Sequence, residues 1–359
     1  MSDTPLAAKL KRLIAAEGPI GVDAYMAACL ADPEHGYYTT RDPLGASGDF
    51  VTAPEVSQMF GEIIGAWLAH VWDQLGQPRP VRLVELGPGR GTLMADILSI
   101  VRRLPGLADE LAVHLVEMSP MLRARQRETL AGSGFAVSWQ EALAQVPQGP
   151  LLLVANEFFD ALPVRQLVRA GGSWRERLVG LDEAGELAFG LAPFGVPGPP
   201  APEGAVRELR PAADAVMTEV AQCIARHGGA ALVIDYGHDI ASDIAYGDTL
   251  QAVRGHAYDD PLAAPGEADI TAPVDFAALA RRANAEGAKA RGPMAQGGFL
   301  LALGLLERAG RLGAGKDAAT QEAIHAAVER LAGPGQMGRL FKVLAVTPPG
   351  IVPPPFDSV

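Results

Sequence analysis

The 359-residue chain reads as an α/β protein built on a doubly wound, mostly parallel sheet. Three observations lead there. Short apolar runs alternate with amphipathic helical patterns, as βαβ units require. The run Leu151-Leu152-Leu153-Val154-Ala155 is apolar throughout, which suits a strand buried on both faces at the centre of such a sheet. Finally, Glu85-Leu86-Gly87-Pro88-Gly89-Arg90-Gly91-Thr92 joins a strand pattern directly to a helix pattern, the place in these folds where backbone meets ligand.

Taken in order, residues up to about Gly76 form a helical preface that contains the unusual stretch His35 to Glu55. Val81–Leu86 is the first strand and Thr92–Arg103 its helix. Leu111–Val116 is the second strand, Met121–Leu130 the second helix, and Ala136–Trp139 the third strand. Leu151–Ala155 and Ala230–Ile234 are the fourth and fifth, and Arg339–Val346 makes a last strand. Two regions break the rhythm. Val164–Leu191 reads as antiparallel β turning at Gly171-Gly172, and Tyr246–Asp275 is loop-rich. The expected organisation is an N-terminal helical extension and lid over residues 1–76, then a Rossmann-like domain over 77–359 with insertions at about 164–210 and 240–276. The proline-crowded segment Ala192–Glu203 and the tail from Pro348 to Pro355 cannot continue a helix or a central strand, so both are expected on the surface.

Composition narrows the function. Hydrophobic residues make up 48% and charged ones 20%, enough apolar material for a core and too little charge for disorder. Lys and Arg number 30 against 42 Asp and Glu, a net charge of −12. Such a chain has no general footprint for nucleic acid and is repelled by anionic membranes. The two cysteines, Cys29 and Cys223, are far apart and carry no metal-ligand spacing, which excludes a disulfide scaffold and a structural zinc site. No apolar signal region follows the N-terminus, and the longest apolar stretch, Phe299–Leu306, is far short of the ~20 residues a membrane span needs. A soluble, cytoplasmic protein without membrane insertion is expected.

The glycine loop carries the chemistry. Its G-x-G-x-G spacing differs from the G-x-G-x-x-G of dinucleotide folds, and no Lys-Ser/Thr pair follows to make a phosphate cradle. Gly87, Pro88, Gly89 and Gly91 let the backbone turn sharply and approach a ligand. The preceding Glu85 suits a cation better than a pyrophosphate, as in the amino group or sulfonium region of S-adenosylmethionine. Glu117, at the end of the second strand beside Met118, lies about 26 residues beyond the last glycine, close to the ~20 expected of a ribose-binding carboxylate. Trp139, closing the third strand, either covers the adenine or is a core aromatic.

The fourth strand runs into Asn156-Glu157-Phe158-Phe159-Asp160. Asn156, Glu157 and Asp160 make an anionic cup suited to a cationic acceptor, with Asn156 also within reach of the cofactor. A guanidinium, with a pKa above 12, is a poor nucleophile, and carboxylates that clamp it can orient one nitrogen and accept its proton. Asn156 and Asp160 as turn caps, and Phe158 and Phe159 as core, are the plainer alternatives. Tyr37, Tyr38, Gly48, Asp49, Phe50, Thr52 and Glu55 form a candidate lid or substrate channel, or simply a loop packed by its aromatics. Tyr236 in Asp235-Tyr236-Gly237-His238 ends the fifth strand and can line the pocket. No third ligand accompanies His238, so no metal site is expected.

With these motifs together, the chain resembles the MidA-type S-adenosylmethionine-dependent methyltransferases, which include the mitochondrial arginine methyltransferase that assists assembly of respiratory complex I. The residues that carry the resemblance are His35-Gly36-Tyr37-Tyr38, Gly48 through Glu62, Glu85 through Gly91, Val116 through Pro120, Asn156 through Pro163, Asp235-Tyr236-Gly237 and Asp269 through Phe276. The resemblance implies a class I methyltransferase fold with an N-terminal extension and inserted segments, and S-adenosylmethionine as cofactor with S-adenosylhomocysteine as product. It implies symmetric dimethylation of a protein arginine, on a complex I subunit for the mitochondrial member. The chain looks like a bacterial member, for which that acceptor follows with less force. The alternatives are methylation of another substrate, and an assembly chaperone for which the cofactor is only a structural ligand. A homodimer stays open.

Overall fold

The computed structural model describes residues 3–40, 51–239, 244–245, 248–255 and 257–358. By packing these fall into two units, each woven from three stretches of chain. Met1–Phe50, Asp160–Ala215 and Ile240–Asp275 make the first; Val51–Phe159, Val216–Asp239 and Phe276–Val359 make the second. Residues 51–76 therefore group with the glycine loop, and the inserted segments group with the N-terminal helices.

The second unit is organised by seven strands: β1 (Val81–Leu86), β2 (Leu111–Val116), β3 (Val137–Gln140), β4 (Leu151–Asn156), β5 (Gly229–His238), β6 (Lys289–Ala295) and β7 (Phe341–Thr347). They lie in the order β6-β7-β5-β4-β1-β2-β3. β1 pairs in parallel with β2 and β4, as do β2 with β3 and β4 with β5. β7 runs antiparallel between β5 and β6. Every residue of β4 is buried, so its apolar sequence follows from cover on both faces. Leu153 and Val154 are fully excluded from water, and shortening Leu153 to Ala would cost about 2–5 kcal/mol.

Helix α1 (Gln58–Gln74) lies against helix α2 (Thr92–Val101). Ser57 caps α1 by accepting from Met59 N at 3.3 Å. Gly65 permits the close approach, since a Cβ there would stand 3.1 Å from Ile97 Cα. Helix α3 (Pro120–Leu130) follows β2 and is capped by Ser119, whose hydroxyl accepts from Leu122 N at 3.3 Å. The C-terminal tail is not a bare surface extension. Pro354 O accepts the Trp67 indole N–H at 2.7 Å, and Phe356 is buried with its ring 6.0 Å from that of Phe299. Burying these aromatics outweighs the loss of regular hydrogen bonding that the prolines impose.

β6 is the strand the sequence pattern hides. Gly292-Pro293 interrupts it, and its register to β7 shifts between Arg291 and Met294. Such a bulge with proline is tolerated because β6 is at the sheet edge.

In the first unit, helices Pro5–Glu17 and Val22–Ala31 set Leu6, Leu10, Ile14, Tyr25 and Met26 against Val164 and Val179. The second of these last two belongs to an antiparallel sheet in which Ser173–Leu181 pairs with Arg165–Ala170, Leu187–Val196 and Ile20–Gly21, as the turn at Gly171-Gly172 predicts. The region read as loop-rich holds a small sheet instead. Gln251–Arg254 pairs with Ala257–Asp259 and Asp269–Thr271. These strands are three or four residues long, too short to show a periodic pattern.

Candidate active site

At the end of β1 the chain turns through Gly87, Gly89 and Gly91 at φ of +61°, +52° and +82°. Left-handed backbone at alternate positions explains the glycine spacing, because a side chain there costs about 1–2 kcal/mol per residue. Space adds to this at Gly87, where a Cβ would lie 2.9 Å from Phe158 Cδ2. Gly91 N–H closes the turn on Pro88 O at 2.7 Å, and Gly91 is the N-cap of α2 without a side-chain cap. The loop thus places open backbone and the positive end of a helix together at the carboxyl edge of the sheet.

Glu85 lies beneath this loop. It is 2% exposed, accepts the backbone N–H of Met94 in the first turn of α2, and keeps Oε2 without a partner. Burial, reinforced by Glu117, pushes its carboxyl up to about 8. Glu117, at the end of β2, is also buried, and burial raises its pKa against the bonds it receives. Oε1 accepts Ser119 N–H at 2.8 Å and Oε2 accepts Gln126 Nε2 at 3.2 Å. Met118 beside it is largely exposed. Trp139 is half-buried on β3, with its indole N–H turned to Gln126 Oε1 at 2.9 Å and the Arg127 guanidinium 4.8 Å from its ring centroid.

The end of β4 is built differently. Asn156 Nδ2 donates to Glu157 Oε1 at 3.0 Å, while Asn156 Oδ1 is buried without a partner. Glu157 adopts φ +51°, uncommon for a residue with a side chain. Its Oε1 also receives Ala53 N–H at 3.2 Å. Asp235, on β5 and fully buried, accepts Phe158 N–H and Phe159 N–H on Oδ2 at 3.2 and 3.0 Å and Tyr236 N–H on Oδ1 at 2.9 Å. Phe159 is core, as the plainer reading holds; Phe158 covers Gly87. Tyr236 is half-buried with its ring 6.1 Å from Phe341.

Thr52 and Glu55 fall beside this machinery. Thr52 is the N-cap of the short helix Ala53–Val56, and Glu55 Oε1 accepts the Thr92 hydroxyl at 2.6 Å. That segment therefore contacts the glycine-loop helix through Glu55 and the β4 end through Ala53.

Tyr37, Tyr38 and Asp160 belong by packing to the first unit. Tyr37 is fully buried in its core with its ring edge-on to Tyr38 at 5.2 Å. Tyr38 donates to both Asp269 oxygens at 3.0 Å, and burial, with Asp269 and Asp160 nearby, drives its phenol pKa well above the ordinary value. Asp160 is buried, its carboxyl pushed up to about 7 by desolvation with Arg210 opposing. Tyr37 is thus an interior group, whereas Tyr38 is only partly buried. Gly48, Asp49 and Phe50 lie outside the described residues. Among the described residues no cluster of metal-ligating side chains occurs.

Sequence reasoning passed over Gln126, which is wholly buried. A signal exists: Leu122, Gln126 and Leu130 are the buried residues of α3, so a polar residue sits in the middle of an i, i+4 apolar stripe.

A sheet ordered 3-2-1-4-5-7-6 with β7 reversed, a glycine loop after β1 and a carboxylate at the end of β2 define a class I S-adenosylmethionine-dependent methyltransferase. The chain belongs to the family whose model, that of an S-adenosyl-L-methionine-dependent methyltransferase, matches residues 63–294. It is 39% identical over 375 residues to the mitochondrial protein arginine methyltransferase NDUFAF7 of Mus musculus, covering 96% of this chain and 85% of that protein. The Homo sapiens protein is 38% identical over 378 residues, covering 96% and 84%. Among solved structures, a COG1565 superfamily member from Burkholderia thailandensis bound to S-adenosyl-homocysteine superimposes with a TM-score of 0.83 at 33% identity, over 95% of this chain and 91% of that one. The residues present fit the cofactor. The unpartnered buried acceptors, Glu85 Oε2 and Asn156 Oδ1, call for a cation or an N–H donor, and the ligand's ammonium and sulfonium are of that kind.

Proposed function

We propose that this chain methylates arginine side chains of a protein, with a subunit of respiratory complex I as the acceptor, in the cytoplasm. The relatives named as protein arginine methyltransferases support the acceptor chemistry. The observation that carries the reading is the Asn156–Glu157 pair. A carboxylate is fixed at the end of β4 on a left-handed backbone, tied to Asn156 Nδ2 and Ala53 N–H.

S-adenosylmethionine, when bound, supplies a methyl group on a sulfonium whose departure leaves a neutral thioether. Gly87, Gly89 and Gly91 would cradle it, and Glu117 would hold its ribose hydroxyls. Glu157 is assigned the acceptor side: it binds the guanidinium, aims one nitrogen, and takes the proton which that nitrogen loses as the N–C bond forms. Alignment then supplies most of the acceleration, with the base contributing about 10²–10⁴-fold.

The test is Glu157→Gln, with S-adenosylhomocysteine affinity measured by calorimetry and arginine methylation by mass spectrometry of protein from a deletion strain complemented with each form. Preserved affinity with methylation reduced at least about 100-fold is expected. Unchanged methylation would remove Glu157 from the role.

A second reading, an assembly chaperone, draws on one feature. Strand Leu187–Val196 exposes Phe194 at 86% and Val196 at 52%. Phe194→Ser that stops assembly while methylation continues would favour it.

A further inference from the structure

Gln126 is 0% exposed, and its amide meets three parts of the cofactor half at once. Nε2 donates to Gly89 O at 2.8 Å and to Glu117 Oε2 at 3.2 Å, and Oε1 accepts the Trp139 indole N–H at 2.9 Å. Its side chain also backs Gly91, where a Cβ would meet Gln126 atoms at 3.5 Å. A planar amide offers two N–H donors and a carbonyl acceptor, so one side chain fixes three orientations that are otherwise independent.

Each bond sets something that faces a ligand. A trans peptide points its C=O and its following N–H in opposite directions. Holding Gly89 O against Gln126 therefore aims the Arg90 N–H away from α3. Donation to Glu117 Oε2 holds that oxygen and favours the charged form of the carboxyl against the effect of burial. Acceptance from Trp139 fixes the plane of the indole. Because the three partners come from the β1 loop, the β2 end and β3, local sequence cannot hold them in mutual register.

We infer that Gln126 is a positioning residue for S-adenosylmethionine, coupling the glycine loop, the Glu117 carboxylate and the Trp139 ring into one preorganised site. This rests on reading the glycine loop and Glu117 as the cofactor's contacts.

The experiment is calorimetric titration of the full chain with S-adenosylhomocysteine, for wild type, Gln126→Leu, Gln126→Glu, Glu117→Gln and the Gln126→Leu/Glu117→Gln pair. Gln126→Leu keeps the size of the side chain and removes its hydrogen bonds; affinity should fall 10- to 100-fold. In the double variant the loss should be clearly smaller than the product of the single losses, because the two residues act through one bond. Gln126→Glu should bind weakly at pH 8, where a second carboxylate faces Glu117, and recover several-fold at pH 6 as it takes up a proton and donates again. Wild type should change less over that range.

Gln126→Leu binding within threefold of wild type, or single losses that multiply, would overturn the inference. Should Gln126→Leu fail to fold, the pH profile of Gln126→Glu decides alone, and a profile parallel to wild type overturns it. Wild type that does not bind S-adenosylhomocysteine at all would instead strike the cofactor assignment on which the inference rests.

Discussion

Around β1 and β2 the backbone is shaped by residues that lack side chains, whereas around β4 and β5 it is shaped by side chains that seize the backbone. Three glycines supply the left-handed turns of the cofactor half. At the end of β4 Glu157 takes a comparable φ despite its Cβ, beside a turn whose Phe158 and Phe159 N–H groups end on Asp235, which also receives the N–H of its β5 neighbour Tyr236. One half is thus vulnerable to bulk and the other to loss of charge. The buried carboxylates differ in the same way. Glu85 keeps an oxygen without a partner and its carboxyl is raised to about 8, while Asp235 receives three backbone donors.

The contrast is broken most directly at Gly87. Gly87→Val demands a side chain at φ +61° and 2.9 Å from Phe158. Calorimetry should find S-adenosylhomocysteine affinity reduced at least about 100-fold; near-normal binding would mean that loop geometry does not govern the cofactor half. Next comes Asp235→Ala, which strands buried N–H groups and should cost about 2–4 kcal/mol in urea unfolding. A loss under ~1 kcal/mol would mean the acceptor turn holds its own shape.

Glu85 gives a pH signature of comparable size. Its folded pKa, about 8, lies above the unfolded value of 4.5, so the folded state binds the proton more tightly. Its contribution is therefore fully present below pH 4.5 and is lost as pH rises through about 8. Glu85→Gln should melt close to wild type near pH 5 without ligand and be more stable by about 3–4 kcal/mol near pH 9. Parallel melting curves across that range would show that Glu85 stays charged in the fold. The smallest effect belongs to Thr92→Val, which removes the 2.6 Å bond to Glu55. About 1 kcal/mol should be lost, and Glu55→Gln in the same background should add little.

Much of the second unit was legible. β1, β2, β4 and β5 announce themselves as apolar runs because both faces are covered, and the glycine spacing marks backbone that only glycine adopts cheaply. What was hidden depends on distant pairing. β6 is obscured by Gly292-Pro293, and the strands around Gln251 are too short for a period. Trp139 could not be settled as ligand platform or core, since its hydrogen bond to Gln126 joins β3 to α3. Thr52 and Glu55 read as lid because the partners of their segment stand far along the chain, Thr92 for Glu55 and Glu157 for the N–H of Ala53 next to Thr52. Gln126 stands among the charged positions of an arginine-rich helix, and the burial of Leu122 and Leu130 on either side sets it apart.

The weaving of the two units has a consequence for synthesis. The chain leaves each unit and returns twice, so neither can be finished while the nascent chain is short. β7, at residues 341–347, enters between β5 and β6. Until it emerges from the ribosome, β5 offers an unpaired flank over residues 231–236 and β6 lacks the partner it joins. Open strand edges of this kind attract other chains. The protein must therefore mature late and all at once, and stalled or C-terminally shortened products should be the species that chaperones and proteases find first.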